Sequence, residues 1–193
     1  AFWGLVAIFA PLIAPYEQGE MISTESFKQV EEAAFLGTDY LGRDLLSRII
    51  YGARMTLGLA AIATALSFTS GIVLGFVAAI SRGWVDQMLS RLIDAIMAFP
   101  SIMLALIIIG GLGTSLPIVI LTVAMIDATR VFRVSRALAL DVSVMDFVEA
   151  ARVRGEGPMW IMRREILPNT LAPLAAEPGI PSPFAIPFIS SLG

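Results

Sequence analysis

Apolar and polar positions fall in long blocks along this chain. Ala1 to Ala14 is apolar and Glu17 to Ala34 is polar and acidic. Met55 to Ser81 carries no charge, and Met88 to Ile109 is apolar apart from Arg91 and Asp94 near its start. Ile118 to Ile126 is apolar again and runs past Asp127 into Arg130, Arg133 and Arg136. Apolar runs of this length predict helices in a bilayer, where a span needs about 20 residues. Met55–Ser81, about 27 residues, would make roughly 40 Å of helix, enough to cross with tilt. Ala1–Ala14 is too short to span and lacks the basic start of a signal peptide, so residues 1–16 are expected to be the end of a first transmembrane helix. Gly83-Trp84-Val85-Asp86 predicts a polar turn with an interfacial Trp, and Gly110 to Pro117 a second turn. Pro100 predicts a kink. Gly71 and Gly75, four apart, fit either close helix contact or the higher glycine content of membrane helices.

Two polar stretches break this pattern. The first lies before the uncharged span, in a segment 17–54 expected to be an exposed loop. Leu41, Leu45, Leu46 and Ile49 share a helical face there, which predicts an amphipathic helix, either at the membrane surface or as a solvated lead-in to the span. The second is 141–169. Val144, Phe147, Val148 and Ala151 recur at helical spacing, with Ser143 as predicted N-cap and Asp146 three residues on. Gly155 falls where a left-handed glycine would end that helix. Pro158 suits the first turn of a second helix, Pro158 to Leu167, and Pro168 disfavours helix at the residue before it. Pro178, Pro181, Pro183 and Pro187 then crowd residues 175–193, where a regular span is not expected.

Composition sharpens the reading. The chain is 57% hydrophobic and 15% charged, against about 45–50% and 25% in soluble domains. The net charge of −3 gives no reason to expect nucleic acid as a partner. With no Cys and no His, thiol chemistry and His-based metal or triad sites are excluded within these residues. The only lysine is Lys28, and no Gly precedes it directly, so no phosphate-cradling Gly-Lys loop is present. ATP, if it drives this protein, binds elsewhere, and no cofactor is expected.

Glu149-Ala150-Ala151, Gly155 after three intervening residues, and Ile166-Leu167-Pro168 together resemble the EAA loop of bacterial ATP-binding-cassette importer permeases. Gly37, Thr38, Asp39, Gly42, Arg43 and Asp44 are similar to the stretch before the second span in the C-type permeases of dipeptide and oligopeptide importers, and the likeness runs from about Phe9 to Pro173. The resemblance implies an all-α polytopic transmembrane bundle of the type I importer kind, incomplete at both ends. Residues 55–174 would be the permease domain and 175–193 an aberrant or truncated fifth span. It implies a multi-pass protein of the cell inner (plasma) membrane forming half of a pore, without its own ATPase site. The implied partners are a homologous permease, two ATPase subunits, an extracytoplasmic solute-binding protein and the lipid bilayer. The implied cargo is a dipeptide, an oligopeptide, nickel or another small solute. The resemblance makes Phe147, Glu149, Ala150, Ala151, Gly155, Ile166, Leu167 and Pro168 the ATPase-coupling loop. A secondary carrier or channel is the competing class, but such carriers place ionisable groups at mid-membrane, and Met55–Ser81 has none.

Charge supports one orientation. With 17–54 outside, nine basic residues from Arg82 to Arg164 lie inside and four, Lys28, Arg43, Arg48 and Arg54, outside. The positive-inside rule favours this and puts the Glu149 loop in the cytoplasm. Arg91, Asp94 and Asp127 near span ends are candidates for the pore, for pairing between spans, or for snorkelling to the interface.

Overall fold

The computed structural model describes residues 9–17, 19–22, 35–81 and 83–176. Residues 1–8 of the expected first span, residues 18 and 23–34 of the acidic loop, and the Pro-rich 177–193 lie outside the described residues. The described chain is helical: α1 (Ala10–Ile13), α2 (Leu45–Ser81), α3 (Gly83–Met97), α4 (Ser101–Leu112), α5 (Leu116–Ser143), α6 (Asp146–Val153), α7 (Pro158–Ile161), a π-helical turn (Met162–Ile166) and α8 (Leu167–Ala176). It divides into two compact units, Ala1–Leu59 and Ala60–Gly193, the boundary falling within α2.

In the first unit the Gly37–Asp44 motif is a knot of hydrogen bonds. Asp39 Oδ1 accepts from the backbone N–H of Leu41 (2.7 Å) and Arg43 (3.0 Å), and Oδ2 accepts from Arg48. Asp44 caps α2, its Oδ2 accepting from the Ser47 N–H (2.7 Å) and hydroxyl (2.6 Å). The Tyr16 N–H in turn donates to the Ser47 hydroxyl (3.2 Å). Single antiparallel bridges join Met21 to Arg43 and Thr38 to Asp44. Thr38, Asp39 and Asp44 are buried, as polar groups can be when fully bonded. Gly37 and Gly42 hold φ of 78° and 71°, turning the chain twice within six residues. Of the two readings of Leu41–Ile49, the lead-in fits: Leu45 to Ile49 are helical and already belong to the long helix, while 40–42 are turns and a bend. Asp44 explains the difference, since it starts the helix where capping is available rather than where the apolar face begins.

α2 is 37 residues long, about 55 Å, well beyond the roughly 30 Å of a bilayer core. Among the described residues it is the helix long and apolar enough to cross alone, and α3–α4, bent by 90° at their junction, form a second candidate together. The bend is far sharper than a proline kink in one helix. The expected turn at 83–86 is also shorter than predicted. Gly83, at φ 63°, makes the break, and Trp84, Val85 and Asp86 are already helical.

In the second unit α2 and α5 touch through the two glycines. A Cβ on Gly71 would stand 2.6 Å from the Val131 Cβ, and one on Gly75 2.8 Å from the Phe132 carbonyl oxygen. Of the two readings of this pair, the structure supports close contact. The buried hydroxyls of α5 return to their own helix: Thr122 to the Ile118 carbonyl, Thr129 to Ile126 and Ser135 to Val131, each at 2.7 Å. Small, self-satisfied polar side chains let helices approach without leaving an unpaired group in a poor solvent.

Candidate functional site

The 141–169 loop stands on one apolar cluster. Val148 and Ala151 of α6 are fully buried, and they pack with Phe76 and Ala79 of α2, Ala139 and Val142 of α5, and Ile161, Ile166 and Leu174 beyond the turn. Of the predicted face, therefore, Val148 and Ala151 point inward, while Phe147 is 37% and Val144 74% exposed. An eight-residue helix offers one turn of buried face, and Val144 precedes its start.

The start of α6 departs from expectation. Ser143 is the last residue of α5, its hydroxyl bonded back to the Leu140 carbonyl (2.8 Å), and the N-cap is Met145 with no side-chain bond. Asp146 and Glu149 at this end suit the positive pole of the helix instead. The end of α6 is as the spacing predicts. Gly155 has φ 81°. The Glu156 N–H reaches the Ala151 carbonyl (3.2 Å) and the Gly155 N–H the Arg152 carbonyl (2.9 Å). This pair of bonds is a Schellman ending, which satisfies carbonyls the helix would otherwise leave open.

The second helix does not stop before Pro168. α7 passes through the π-turn directly into α8. The Leu167 N–H bonds the Met162 carbonyl, five residues back. A proline ring collides with the carbonyl four residues earlier, and the wider π-turn moves that carbonyl aside. The Asn169 side chain then donates to the Glu165 carbonyl (2.6 Å), and Thr170, fully buried, donates to Ile166 (2.9 Å). Of the predicted coupling residues, Ala151 and Ile166 are buried in the cluster and Leu167 is half-buried. Phe147, Glu149, Ala150, Gly155 and Pro168 are exposed. The six motif residues Gly37–Asp44 belong to the other unit.

One side chain escaped the sequence reading. Arg154 lies 5.9 Å from the centre of the Trp160 ring and 3.8 Å from the Glu165 carboxylate, a brace from the end of α6 to the helix after it. The spacing of Arg154, Trp160 and Glu165 across a glycine turn gave no periodic signal. Beneath the loop is a cavity of about 330 Å³ bordered by Ala79, Ile80, Arg152, Glu156 and Ile161 among others. Among the described residues no cluster of acidic side chains could hold a metal.

Nearer the N-terminal side of α5, Asp127 is buried. Asp94 pairs with Arg133 across two helices (2.6 Å), so for this residue pairing, not snorkelling, is observed.

Comparison with known proteins adds three findings. The family described as binding-protein-dependent transport system inner membrane component matches residues 71–189. The di/tripeptide transport system permease protein DppC of Pseudomonas aeruginosa is 35% identical over 193 residues, covering 97% of this chain and 64% of that protein. The dipeptide transport system permease protein DppC of Alkalihalophilus pseudofirmus is 35% identical over 175 residues (90% and 57%), and the glutathione transport system permease protein GsiD of Pectobacterium atrosepticum 29% over 168 (86% and 56%). The chain thus spans less than two thirds of the length of these relatives.

Proposed function

The chain belongs to the binding-protein-dependent transport inner membrane component family, and from that membership we propose that it is the multi-pass permease subunit of an ATP-driven peptide importer. It forms half of the translocation pathway with a homologous permease. Two separate ATPase subunits drive it, and an extracytoplasmic binding protein delivers the cargo. Di- and tripeptides are the favoured cargo, since two relatives at 35% identity carry those names, with glutathione, itself a small peptide, close in chemistry.

The observation that carries the coupling role is the build of α6. Its inner face is locked into the core shared by α2, α5 and α8, while Glu149 and Ala150 face outward. A force applied to that outer face reaches the spans through packed side chains, which is what a lever between an ATPase and a pore requires. The Gly37–Asp44 knot orders the segment leading into α2. ATP hydrolysis is assigned to the partner subunits.

The test is uptake of a labelled dipeptide by proteoliposomes holding the complete permease pair, the ATPases and the binding protein. Uptake should require ATP and persist when a proton gradient is collapsed. Uptake driven by the gradient without ATP would make the protein a secondary carrier and overturn the proposal.

A further inference from the structure

α3 is held to α5 in a way that the coupling loop does not explain. Arg136 of α5 donates from Nε and Nη2 to the two carboxylate oxygens of Asp86, each at 2.5 Å. The pair is bidentate, and both side chains are more than half buried. Asp86 also accepts from the Ser90 hydroxyl at 3.3 Å. Farther along α3, Asp94 pairs with Arg133, but both are more than half exposed and such a pair contributes little. Between the two pairs Ile93 is buried against Phe132 of α5 and Ala78 of α2. At the same level a Cβ on Gly75 of α2 would lie 3.0 Å from the backbone nitrogen of Arg136. The start of α3 is thus fixed beside the close α2–α5 contact at Gly75.

The far end of α3 is built differently. The Ala98 N–H still bonds Asp94 (3.0 Å), the Phe99 N–H reaches Ile96 only at 3.4 Å, and Pro100 has no N–H to give. The chain then turns by 90° into α4. Inside this elbow is a cavity of about 200 Å³, bordered by Met97, Phe99, Pro100, Leu104, Ile126 and Thr129. One end of α3 is clamped, and the other has few hydrogen bonds and space beside it. Meanwhile α5 passes into the coupling helix α6 after only Val144 and Met145.

We infer that the Asp86–Arg136 pair makes α3 move with α5, so that displacement of the coupling loop reaches α4 through the elbow at Ala98–Pro100. The pair acts as a positioning device, through the angle at which it holds α3 against α5. A guanidinium fork on a carboxylate suits this task, because two parallel bonds fix an angle that a single contact leaves free. The inference rests on the transport function proposed above and adds the route by which the loop acts.

The experiment compares the complete reconstituted complex with three variants and reads dipeptide delivered per ATP hydrolysed. Asp86→Asn/Arg136→Gln removes both charges together, so neither is left buried without its partner and the chain still folds. It should assemble with its partners and hydrolyse ATP at the wild-type rate or above, but deliver roughly fivefold less dipeptide per ATP or worse. Asp86→Glu, which keeps the charge and the fork, should retain most of the yield. Asp94→Asn, at the exposed pair, should retain all of it. A loss of stability alone would lower the amount of assembled complex without changing the ratio. An unchanged ratio in the double variant overturns the inference, as does an equal fall in Asp94→Asn. The wild-type complex run alongside separates the two readings. If it transports while the double variant matches it, only this inference fails. If it moves no dipeptide with ATP, the transport proposal fails and takes the inference with it.

Discussion

Replacing Gly155 with valine perturbs one dihedral angle and little else. No atom lies within 4 Å of where a Cβ would stand, so steric crowding by neighbours contributes nothing. The whole effect comes from φ of 81°. An L-residue in the left-handed region costs about 1–2 kcal/mol, and a β-branched one sits at or above the upper end. Opposing this are the two bonds of the helix ending, Gly155 to Arg152 and Glu156 to Ala151, worth about 1 kcal/mol each. The terms are comparable, so valine should tip the ending out of its present form. A loss of about 2 kcal/mol shifts the balance between the two loop forms roughly 30-fold. Alanine should cost about 1 kcal/mol and asparagine less, because asparagine visits the left-handed region readily. In the complete complex, co-purification of the ATPase and substrate-stimulated ATP hydrolysis should therefore fall in the order Gly, Asn, Ala, Val. Membrane insertion should be unchanged, since it depends on apolar length. Wild-type behaviour in the valine variant would refute the coupling role. Asparagine as damaging as valine would refute the dihedral argument, since only lack of space would treat them alike.

Three further outcomes are expected. Gly75→Ala should lower the thermal stability of the purified complex by about 1–3 kcal/mol, because its Cβ would press on the Phe132 carbonyl at 2.8 Å, whereas Gly58→Ala, with nothing within 4 Å, should be neutral. Backbone hydrogen bonds from Arg43 and Leu41, with the Arg48 side chain, hold the Asp39 carboxyl below its ordinary 3.8. The ordering it gives the 35–44 segment should persist above that value and be lost as pH falls through the lower folded value; a spin label at Tyr40 should stay ordered at neutral pH and loosen only in acid, and Asp39→Asn should remove that dependence. Reporter fusions at Glu25 should register outside and at Asp141 inside, and a cytoplasmic signal at Glu25 would reverse the orientation on which the coupling proposal depends.

Local chemistry was legible in the sequence where a single residue decides the backbone. Gly155 ends α6 because glycine takes that left-handed dihedral without a Cβ penalty, and Pro158 opens α7 because its missing N–H is not needed there. The glycine pair on α2 was half legible: spacing showed that close approach was available, and the position of Val131 and Phe132 shows that it is used. Competition between two local signals was not legible. Ser143 is a good cap by identity, yet its hydroxyl is already engaged with Leu140 one turn back on α5. Pro168 is a stop signal in an α-helix but not after a π-turn, and nothing in the residue types of Met162–Ile166 announces the wider turn. The ion pair of Asp86 with Arg136, 50 residues apart, is a tertiary fact that no periodicity carries.

The stiffness of the loop is unevenly distributed, and that bears on how it could transmit force. An isolated helix of eight residues is marginal in water, so α6 depends on what it is packed against and how its ends are held. Its C-terminal end is fixed by the Schellman bonds and by Arg154 against Trp160 and Glu165. Arg154 is more than half exposed and its contacts are individually weak, but they act at the same point as the glycine turn. Its N-terminal end has no side-chain cap, only backbone bonds: the Met145 N–H to the Val142 carbonyl, and the Val148 and Glu149 N–H groups to the Met145 carbonyl. A push on the outer face of α6 would therefore rotate it about its firm end rather than shift it whole. Val148, nearer the loose end, would move farther than Ala151, and Val148 packs in the same cluster as Val142 near the end of α5. On the proposed function, then, α5 receives the larger share of the motion, and Val148→Ala should weaken coupling more than its loss of apolar area alone would suggest.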